Sequence, residues 1–342
     1  MREIVTHVVA QMTPRNHAER DQANASPRTA AEHARWSEDW SCLSQLELVQ
    51  PPGAPSDKTD VLTIAAWNME RCKHVEASAS VLRERGVDLV LATEMDWGCA
   101  RSGQRHTTAE LAAMLGFGHV FGVEFVELGL GDARETDEHA GQSNLHGLHG
   151  NAILSRYPFG RVALIPLEAG GSWYLSDKKE GQSRIGGRNV IAAEICTPGG
   201  PIWVVSAHFE SESTPALRAA QAALTVTGLK ALTGDLPVIV GGDFNLKALP
   251  PDDLADMAIL ETPGATEPMF DVFAGAGFDW RSANIPGVTT RRHPWQTPLP
   301  GLKLDWLFVR GAVGRNPWIA PALGKDGTVL SDHEPIGAEF TI

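Results

Sequence analysis

The sequence predicts an α/β fold built on mixed β-sheets, and three observations carry this prediction. Short apolar runs, typical of buried strands, recur from Val61 to the end of the chain. Helix-like segments separate some of these runs, but several runs follow one another directly, which argues against a purely parallel sheet. The 342 residues are 43% apolar and 21% charged, the composition of an ordinary globular protein.

The first elements follow from the hydrophobic pattern. Two apolar runs predict strands that end next to polar residues, the first at 61–67 before Asn68 and the second at 87–93 before Glu94. Helices are predicted near 75–85 and at 107–115, because each helix-like pattern ends at a glycine.

The remaining elements are mostly strands. A helix of roughly 215–233 separates two of them. The further strands are predicted at 151–155, 162–167, 189–195, 202–207, 237–241, 304–309 and 336–341.

Residues 1–60 differ from the rest of the chain. Residues 14–35 are polar, rich in alanine and compatible with helix, and residues 51–57 have the proline and glycine content of a linker. The segment holds too few apolar residues for a core of its own. We therefore expect a partly helical N-terminal extension, followed by one large domain over residues 61–342.

Charge and composition exclude several classes of protein. The chain has 29 Lys and Arg against 42 Asp and Glu, a formal charge of −13, which disfavours binding along an extended polyanion. No stretch approaches the roughly 20 apolar residues of a membrane-spanning helix. The N-terminus lacks the pattern of a signal peptide, and the four cysteines form no C-x-x-C pair. We expect a cytoplasmic protein with reduced thiols.

Several predicted strands end at polar residues that packing alone does not explain. Carboxylates and an amide, without cysteine among them, favour Mg²⁺ or Mn²⁺ over zinc. Such an ion neutralises phosphate oxygens and lowers the pKa of an attacking water, while histidines move protons. These strand-end residues are Asn68, Glu94, His208, Asp243, Asn245, Asp305, Asp332 and His333.

Seven segments together resemble the endonuclease/exonuclease/phosphatase superfamily, the deoxyribonuclease I-like metal-dependent hydrolases. They follow the order of that family from about Val61 to Ile342. The resemblance implies a four-layered α/β sandwich, in which two mixed β-sheets pack face to face with helices outside, and residues 61–342 are then the catalytic domain. The segments are 66–70, 92–94, 150–156, 206–208, 242–245, 304–306 and 331–333.

The resemblance also implies a role for each matching residue. Glu94 would be the main metal carboxylate, with Asn68 and Asp332 beside it. Asp243 would orient or deprotonate the attacking water, and Asn245 would bind the phosphate. His333, held by Asp305, would contact the phosphate, while His208 would protonate the leaving group. Glu70 lies where some members have a second acidic residue. Apurinic endonucleases have tyrosine in place of His208, which argues against an abasic-site enzyme.

Substrate-binding residues are harder to predict. The resemblance suggests Arg188 and Asn151, and the loop after Glu94 suggests Arg101 and Arg105, although that loop also fits a simple capped junction. Two further loops combine aromatic and cationic residues suited to a base, a sugar or a phosphate. They contribute Trp173, Lys178, Lys179, Arg184, Arg291, Arg292 and Trp295. The His-rich stretch 139–149 could bind a metal or cap the substrate.

Three hypotheses remain from the sequence. The first is a Mg²⁺- or Mn²⁺-dependent phosphodiesterase or phosphatase that acts on a small or lipid-derived phosphoester. The second is a nuclease on DNA or RNA, which a continuous basic track would distinguish. The third is a binding protein or a repurposed hydrolase on the same scaffold, since a fold does not fix a function.

Overall fold

The structure is a computed structural model that describes residues 3–53, 61–168, 170–175, 182–297 and 300–341. The predicted substrate-loop residues Lys178 and Lys179 lie outside the described residues. No helix in these ranges is long and apolar enough to cross a membrane.

Fourteen strands lie in the described part of the chain. All nine predicted strands are present, and five more were not predicted. The strands are β1 Val8–Val9, β2 Leu46–Val49, β3 Val61–Arg71, β4 Leu89–Trp97, β5 Gly118–Glu127, β6 Leu148–Ser155, β7 Phe159–Pro166, β8 Arg184–Gly186, β9 Asn189–Thr197, β10 Gly200–His208, β11 Val238–Asp243, β12 Asp305–Arg310, β13 Gly314–Ile319 and β14 Ile336–Thr341.

The three helices predicted within residues 61–342 are also present. Thr214 caps the longest of them by accepting a hydrogen bond from the Leu217 N–H, with Pro215 at the first helical position. The α-helices in the described ranges are α1 His17–Ala25, α2 Ala30–Asp39, α3 Val75–Glu84, α4 Thr107–Leu115, α5 Ala133–Glu138, α6 Ser172–Leu175, α7 Pro215–Thr233, α8 Ala258–Glu261 and α9 Met269–Gly275.

The strands form two mixed sheets. The larger has the order β1-β2-β5-β6-β4-β3-β14-β13, with β8 paired to β5, and the smaller has the order β12-β11-β10-β9-β7. Each sheet contains a parallel pair, β3 with β4 in the larger and β10 with β11 in the smaller. The remaining neighbours of these pairs are antiparallel.

The two sheets pack face to face and carry helices on their outer faces. The core between them contains Ile64 and Leu91 from the larger sheet and Val204 and Leu307 from the smaller. Helices α3 and α4 cover the outer face of the larger sheet, and α7 and α9 cover that of the smaller. This arrangement confirms the four-layered α/β sandwich that the resemblance implied.

The sheets pack tightly against each other at a glycine of β11, Gly241. A Cβ atom on Gly241 would lie 2.5 Å from Leu307 Cδ2, and 2.9 Å from Leu91 Cδ1 of the opposite sheet. A larger residue does not fit there without moving its neighbours.

The N-terminal segment contributes strands as well as the expected helices. β2 pairs antiparallel with β5, and β1 pairs parallel with β2. Glu47 on β2 also contacts His106 at 2.7 Å and His119 at 3.3 Å. Part of residues 1–60 is therefore built into the larger sheet, a role that the sequence did not reveal.

Candidate active site

Three candidate residues of the smaller sheet stand side by side. His208 on β10 is opposite Asp243 on β11, and Asp243 is opposite Asp305 on β12. The parallel strands β10 and β11 end at this edge, whereas antiparallel β12 begins there. The predicted strand-end residues therefore form one row along the edge of the sheet.

The larger sheet brings its residues to the same edge. Asn68 of β3 pairs with the residue that precedes Glu94 in the parallel strand β4. β14 runs antiparallel to β3, and Asp332 and His333 come just before its first residue. Ser331 Oγ donates a hydrogen bond of 2.6 Å to the Asn68 carbonyl, which fixes this last segment against β3.

The backbone is strained where β3 reaches the site. Glu70, Arg71 and Cys72 have φ angles of 42°, 70° and 51°, and Glu94 on β4 has a φ of 55°. Residues other than glycine seldom adopt this left-handed conformation, and such strain concentrates at functional sites. The turn places Glu70 and Arg71 on the wall of the same cavity as Glu94.

Asn68 links the two sheets at this cavity, which has a volume of about 210 Å³. Its Nδ2 donates hydrogen bonds of 3.1 Å to Asp243 Oδ2 and 3.3 Å to Glu94 Oε1. Asp305 lies behind the cavity wall, in contact with His333. The predicted residues that line the cavity are Glu94, Arg188, His208, Asp243, Asn245, Asp332 and His333.

His333 lies between two carboxylates. Its Nδ1 donates a hydrogen bond of 2.8 Å to Asp305 Oδ2, and its Nε2 lies 3.7 Å from Asp243 Oδ2. Burial alone lowers the pKa of His333, but the charges of Asp305 and Asp243 outweigh it and hold the pKa well above its usual range. The ring is therefore a protonated donor at neutral pH.

His208 lines the cavity, and both of its ring nitrogens have neighbours. Nδ1 lies 3.1 Å from Glu124 Oε2, and Arg188 Nη1 lies 2.7 Å from Nδ1 and 3.1 Å from Nε2. Nε2 also lies 3.8 Å from both Glu94 Oε1 and Asp243 Oδ2. Nε2 is therefore the nitrogen nearer to the carboxylates of Glu94 and Asp243.

Three carboxylates line the cavity beside the histidines, those of Glu70, Glu94 and Asp332. Burial, together with the charges of Glu70 and Glu94, raises the pKa of Asp332 to about 7. Burial opposes ionisation of Glu94 as well, but Arg71 and His208 hold its pKa well below its usual range. Carboxylate oxygens are the ligands that a hard divalent cation prefers, and nearby Asp243, Asp305 and His333 bring ligand atoms within 4.8 Å of one another.

Asn68 is oriented differently from a metal ligand. Its Nδ2 faces Glu94 and Asp243, while its Oδ1 accepts a hydrogen bond of 3.1 Å from the Glu70 N–H. In this orientation Asn68 positions the carboxylates, and the amide would have to turn over before its oxygen could coordinate an ion.

The model of the endonuclease/exonuclease/phosphatase family matches residues 65–333. The chain belongs to this family. As the family name states, its members cleave phosphoester bonds.

Individual relatives are more distant. The uncharacterized protein YbhP of Escherichia coli (strain K12) is 30% identical over 196 residues, which cover 57% of this chain and 63% of YbhP. An endonuclease/exonuclease/phosphatase structure from Beutenbergia cavernae has a TM-score of 0.57 and 19% identity, over 82% of this chain and 72% of that one. Mannosyl-6-phosphatase Bt3783 of Bacteroides thetaiotaomicron has a TM-score of 0.51 and 14% identity, over 82% and 100% of the two chains. These two structural matches show a shared fold.

Three predicted substrate-binding residues of this family member do not line the cavity. Arg101 is fully buried in ion pairs with Asp96, Glu127 and Glu135 at 2.9–3.0 Å. Arg105 pairs with Glu76 and Glu110, outside the cavity. Asn151 is also buried, and its Nδ2 donates to the Asn189 carbonyl. Each of these side chains is committed to a partner within the fold, and their role in substrate binding stays a prediction.

Other cavity residues were missed, although two loops were predicted correctly as sources of lining side chains. Trp173, Arg184 and Trp295 from those loops do line the cavity. Arg71 contacts Glu94, and Glu124 supports His208, but neither role was predicted. Arg71 lies at the strained end of β3, and no sequence pattern predicts the direction in which such a distorted strand end points its side chains.

Proposed function

We propose that this family member is a divalent-metal-dependent phosphoesterase that acts on a small or lipid-derived phosphoester. The observation that carries the proposal is the convergence of Glu94, Asp332, His208, Asp243 and His333 on one cavity of about 210 Å³. The cavity thus combines a cation-binding cluster with residues that move protons.

The cation would be held by oxygen atoms. Glu94 and Asp332 supply carboxylates, with Glu70 next to them, and this donor set suits Mg²⁺ or Mn²⁺. When bound, such an ion offsets the charge of phosphate oxygens and lowers the pKa of a coordinated water.

Asp243 and His333 would act on the reacting phosphate. Asp243 Oδ1 accepts a hydrogen bond of 2.8 Å from the Asn245 N–H, which fixes the carboxylate so that it can receive a proton from the attacking water. His333 would donate a hydrogen bond from Nε2 to a phosphate oxygen, while Asp305 maintains the tautomer and charge of the ring.

His208 would protonate the leaving oxygen. Glu124 contacts Nδ1, and Arg188 lies within 3.1 Å of both ring nitrogens, while Nε2 is the nitrogen nearer to Glu94 and Asp243. A histidine suits this step because its usual pKa lies near neutral pH. Arg188 lines the same wall and would bind a phosphate oxygen. Asn245 also lines it, although its Nδ2 already donates to the Phe209 carbonyl.

The substrate panel should begin with small molecules. The net charge of −13 and the acidic groups of the cavity disfavour a long polyanion. A structural neighbour is named a mannosyl-6-phosphatase, which makes a sugar phosphomonoester a useful member of the panel. DNA and RNA belong in it as the alternative.

The test is hydrolysis of bis-p-nitrophenyl phosphate and p-nitrophenyl phosphate by metal-free protein, before and after addition of Mg²⁺ or Mn²⁺. We expect activity only with the metal, and a loss of about 100-fold or more in Asp243→Ala, the range for removal of a general base. Asp235→Ala, at an exposed turn before β11, is the matched control. Activity in EDTA, or full activity of Asp243→Ala, would contradict the proposal.

A further inference from the structure

Two segments that are far apart in the sequence meet at the opening of the cavity. Arg134 of helix α5 and Trp295 of the late loop both line it. The Arg134 guanidinium carbon lies 3.7 Å from the centre of the Trp295 ring, a stacked cation–π contact. Trp295 is 53% exposed, so this pair, which we call the rim pair, lies where the cavity opens to solvent.

Helix α5 is anchored to the carboxylate cluster. The helix has only six residues and needs tertiary contacts to persist. Its Glu135 side chain lies 3.0 Å from Arg101, 3.1 Å from Arg71 and 3.5 Å from Lys73. Because Arg71 also contacts Glu94, the position of Arg134 is fixed by ion pairs that begin at the cluster.

The late loop is anchored to the same cluster from its other side. His293 Nε2 lies 2.6 Å from Glu70 Oε2, which also accepts a hydrogen bond of 2.9 Å from the Asp332 N–H. The His293 ring stacks on Trp295, with centres 5.2 Å apart and planes 13° apart. Both residues of the rim pair are therefore held in place by contacts that lead to Glu94 and Glu70 in the cavity.

The position of the rim pair restricts which substrates can reach the carboxylates inside the cavity. An internal phosphodiester continues on both sides of the scissile phosphate and needs an open groove, whereas a small or terminal phosphoester enters through one opening. The cavity has a volume of about 210 Å³, and a neighbouring cavity of about 380 Å³ shares Glu70, Lys73 and Arg134 with it, so Arg134 lines both.

We propose that Arg134 and Trp295 determine specificity by closing the cavity to a continuous strand, so that the enzyme selects small or terminal phosphoesters. This inference rests on the proposed phosphoesterase function. The exposed part of Trp295 and the charge of Arg134 would contact the part of the substrate that does not react.

The test compares two probes, bis-p-nitrophenyl phosphate and a covalently closed single-stranded DNA circle, which has no ends. We expect the unmodified protein to hydrolyse the first and leave the circle intact. In the R134A/W295A double variant we expect kcat/KM for the small diester to fall about threefold to tenfold, mainly through KM. We expect the circle to be opened, so that the ratio of the two kcat/KM values falls at least tenfold.

Arg85→Ala is the matched control, because Arg85 stacks on Trp318 at 5.0 Å, away from the cavity residues. A double variant that is merely destabilised would lose both activities together, whereas a change in their ratio reports specificity. Opening of the circle by the unmodified protein, or a double variant that leaves the circle intact, would overturn the inference. If the unmodified protein does not hydrolyse the small diester with Mg²⁺ or Mn²⁺, the proposed function has failed instead.

Discussion

The charge state of His333 is set by its partners on neighbouring strands. Asp305 binds Nδ1 at 2.8 Å and Asp243 lies 3.7 Å from Nε2. Asp305 is fully buried and lies behind the cavity wall, so it acts through the imidazole and is a positioning residue. A positioning role of this kind can be separated experimentally from direct contact with substrate.

We expect Asp305→Asn to lower kcat by about 100-fold or more with little change in KM, because the ring loses the charge that keeps it protonated and in one tautomer. Steady-state kinetics with Mg²⁺ measure both constants. The matched control is Asp279→Asn, an exposed residue paired with Arg281. A kcat within threefold of the unmodified value would show that His333 does not depend on Asp305.

For single residues, the sequence predicted which residues form the site better than it predicted which side chains contact one another. Asn68, Glu94, His208, Asp243 and His333 were identified because each ends or borders a strand, and strand ends meet at one edge of a sheet. Arg101 does not line the cavity beside Glu94, because closeness in sequence does not set side-chain direction. Its guanidinium is buried against three carboxylates, two of which come from distant segments.

Among the elements, β5 shows why some strands escaped prediction. All ten of its residues are buried, yet they include His119, Glu124 and Glu127, which interrupt the apolar pattern of a buried strand. Their partners lie elsewhere in the chain, Glu124 with Arg188 and Glu127 with Arg184. Burial of a charged residue is acceptable only with such partners, and the sequence does not show them.

Strand β2 is attached to the sandwich partly through one carboxylate. Burial raises the pKa of Glu47, but hydrogen bonds from His106 and His119 outweigh burial and lower the pKa to about 2. A carboxylate with a depressed pKa stabilises the fold above its unfolded pKa, and this stabilisation is lost as the pH falls toward 2.

We therefore expect Glu47→Gln to lower the free energy of unfolding by about 2 kcal/mol at pH 7 and by much less at pH 3, where the unmodified carboxylate is losing its advantage. Denaturant unfolding at the two pH values measures the difference. Glu38→Gln, at an exposed position of α2, should change neither value. An equal loss of unfolding free energy at both pH values would mean that the charge of Glu47 does not help to hold β2 in the sheet.

On the scale of the whole molecule, the site depends on how closely the two sheets approach. Gly241 lies two residues before Asp243 and faces Leu307 and Leu91. Asn68 of the opposite sheet reaches Asp243 through a hydrogen bond of 3.1 Å. A change in sheet separation at Gly241 would therefore be transmitted to Asp243 and Asn68.

We expect Gly241→Ala to cost about 1–3 kcal/mol of stability, the range for an overpacked core, and to lower kcat as Asp243 moves away from Asn68. Thermal unfolding and steady-state kinetics test the two parts. Gly275→Ala is the matched control, because a Cβ there would meet nothing within 4 Å. Unchanged stability and kcat in Gly241→Ala would show that the core between the sheets accommodates an added methyl group.

The order of apolar runs and motifs along the sequence was sufficient to predict the overall architecture. Nine strands and three helices followed from apolar runs, which are local properties of the sequence, and the sandwich followed from the resemblance to the family. The strands of residues 1–60 were not predicted, because β2 has only four residues and is recognisable as a strand only beside β5. The rim pair likewise joins positions 134 and 295, a contact that only the folded chain creates.

The bond between Ser331 Oγ and the Asn68 carbonyl spans 263 positions of the sequence. Trp67 Nε1 spans a similar distance, donating 2.9 Å to the His333 carbonyl. A ribosome that has released Asn68, Glu94 and Asp243 has therefore not yet supplied the partners of β3 in these two bonds. The bonds form only after the segment around His333 emerges and joins β3. Under the proposed function, an interrupted translation product would leave phosphoesters intact, and the first hydrolysis would mark a chain that has been made through His333.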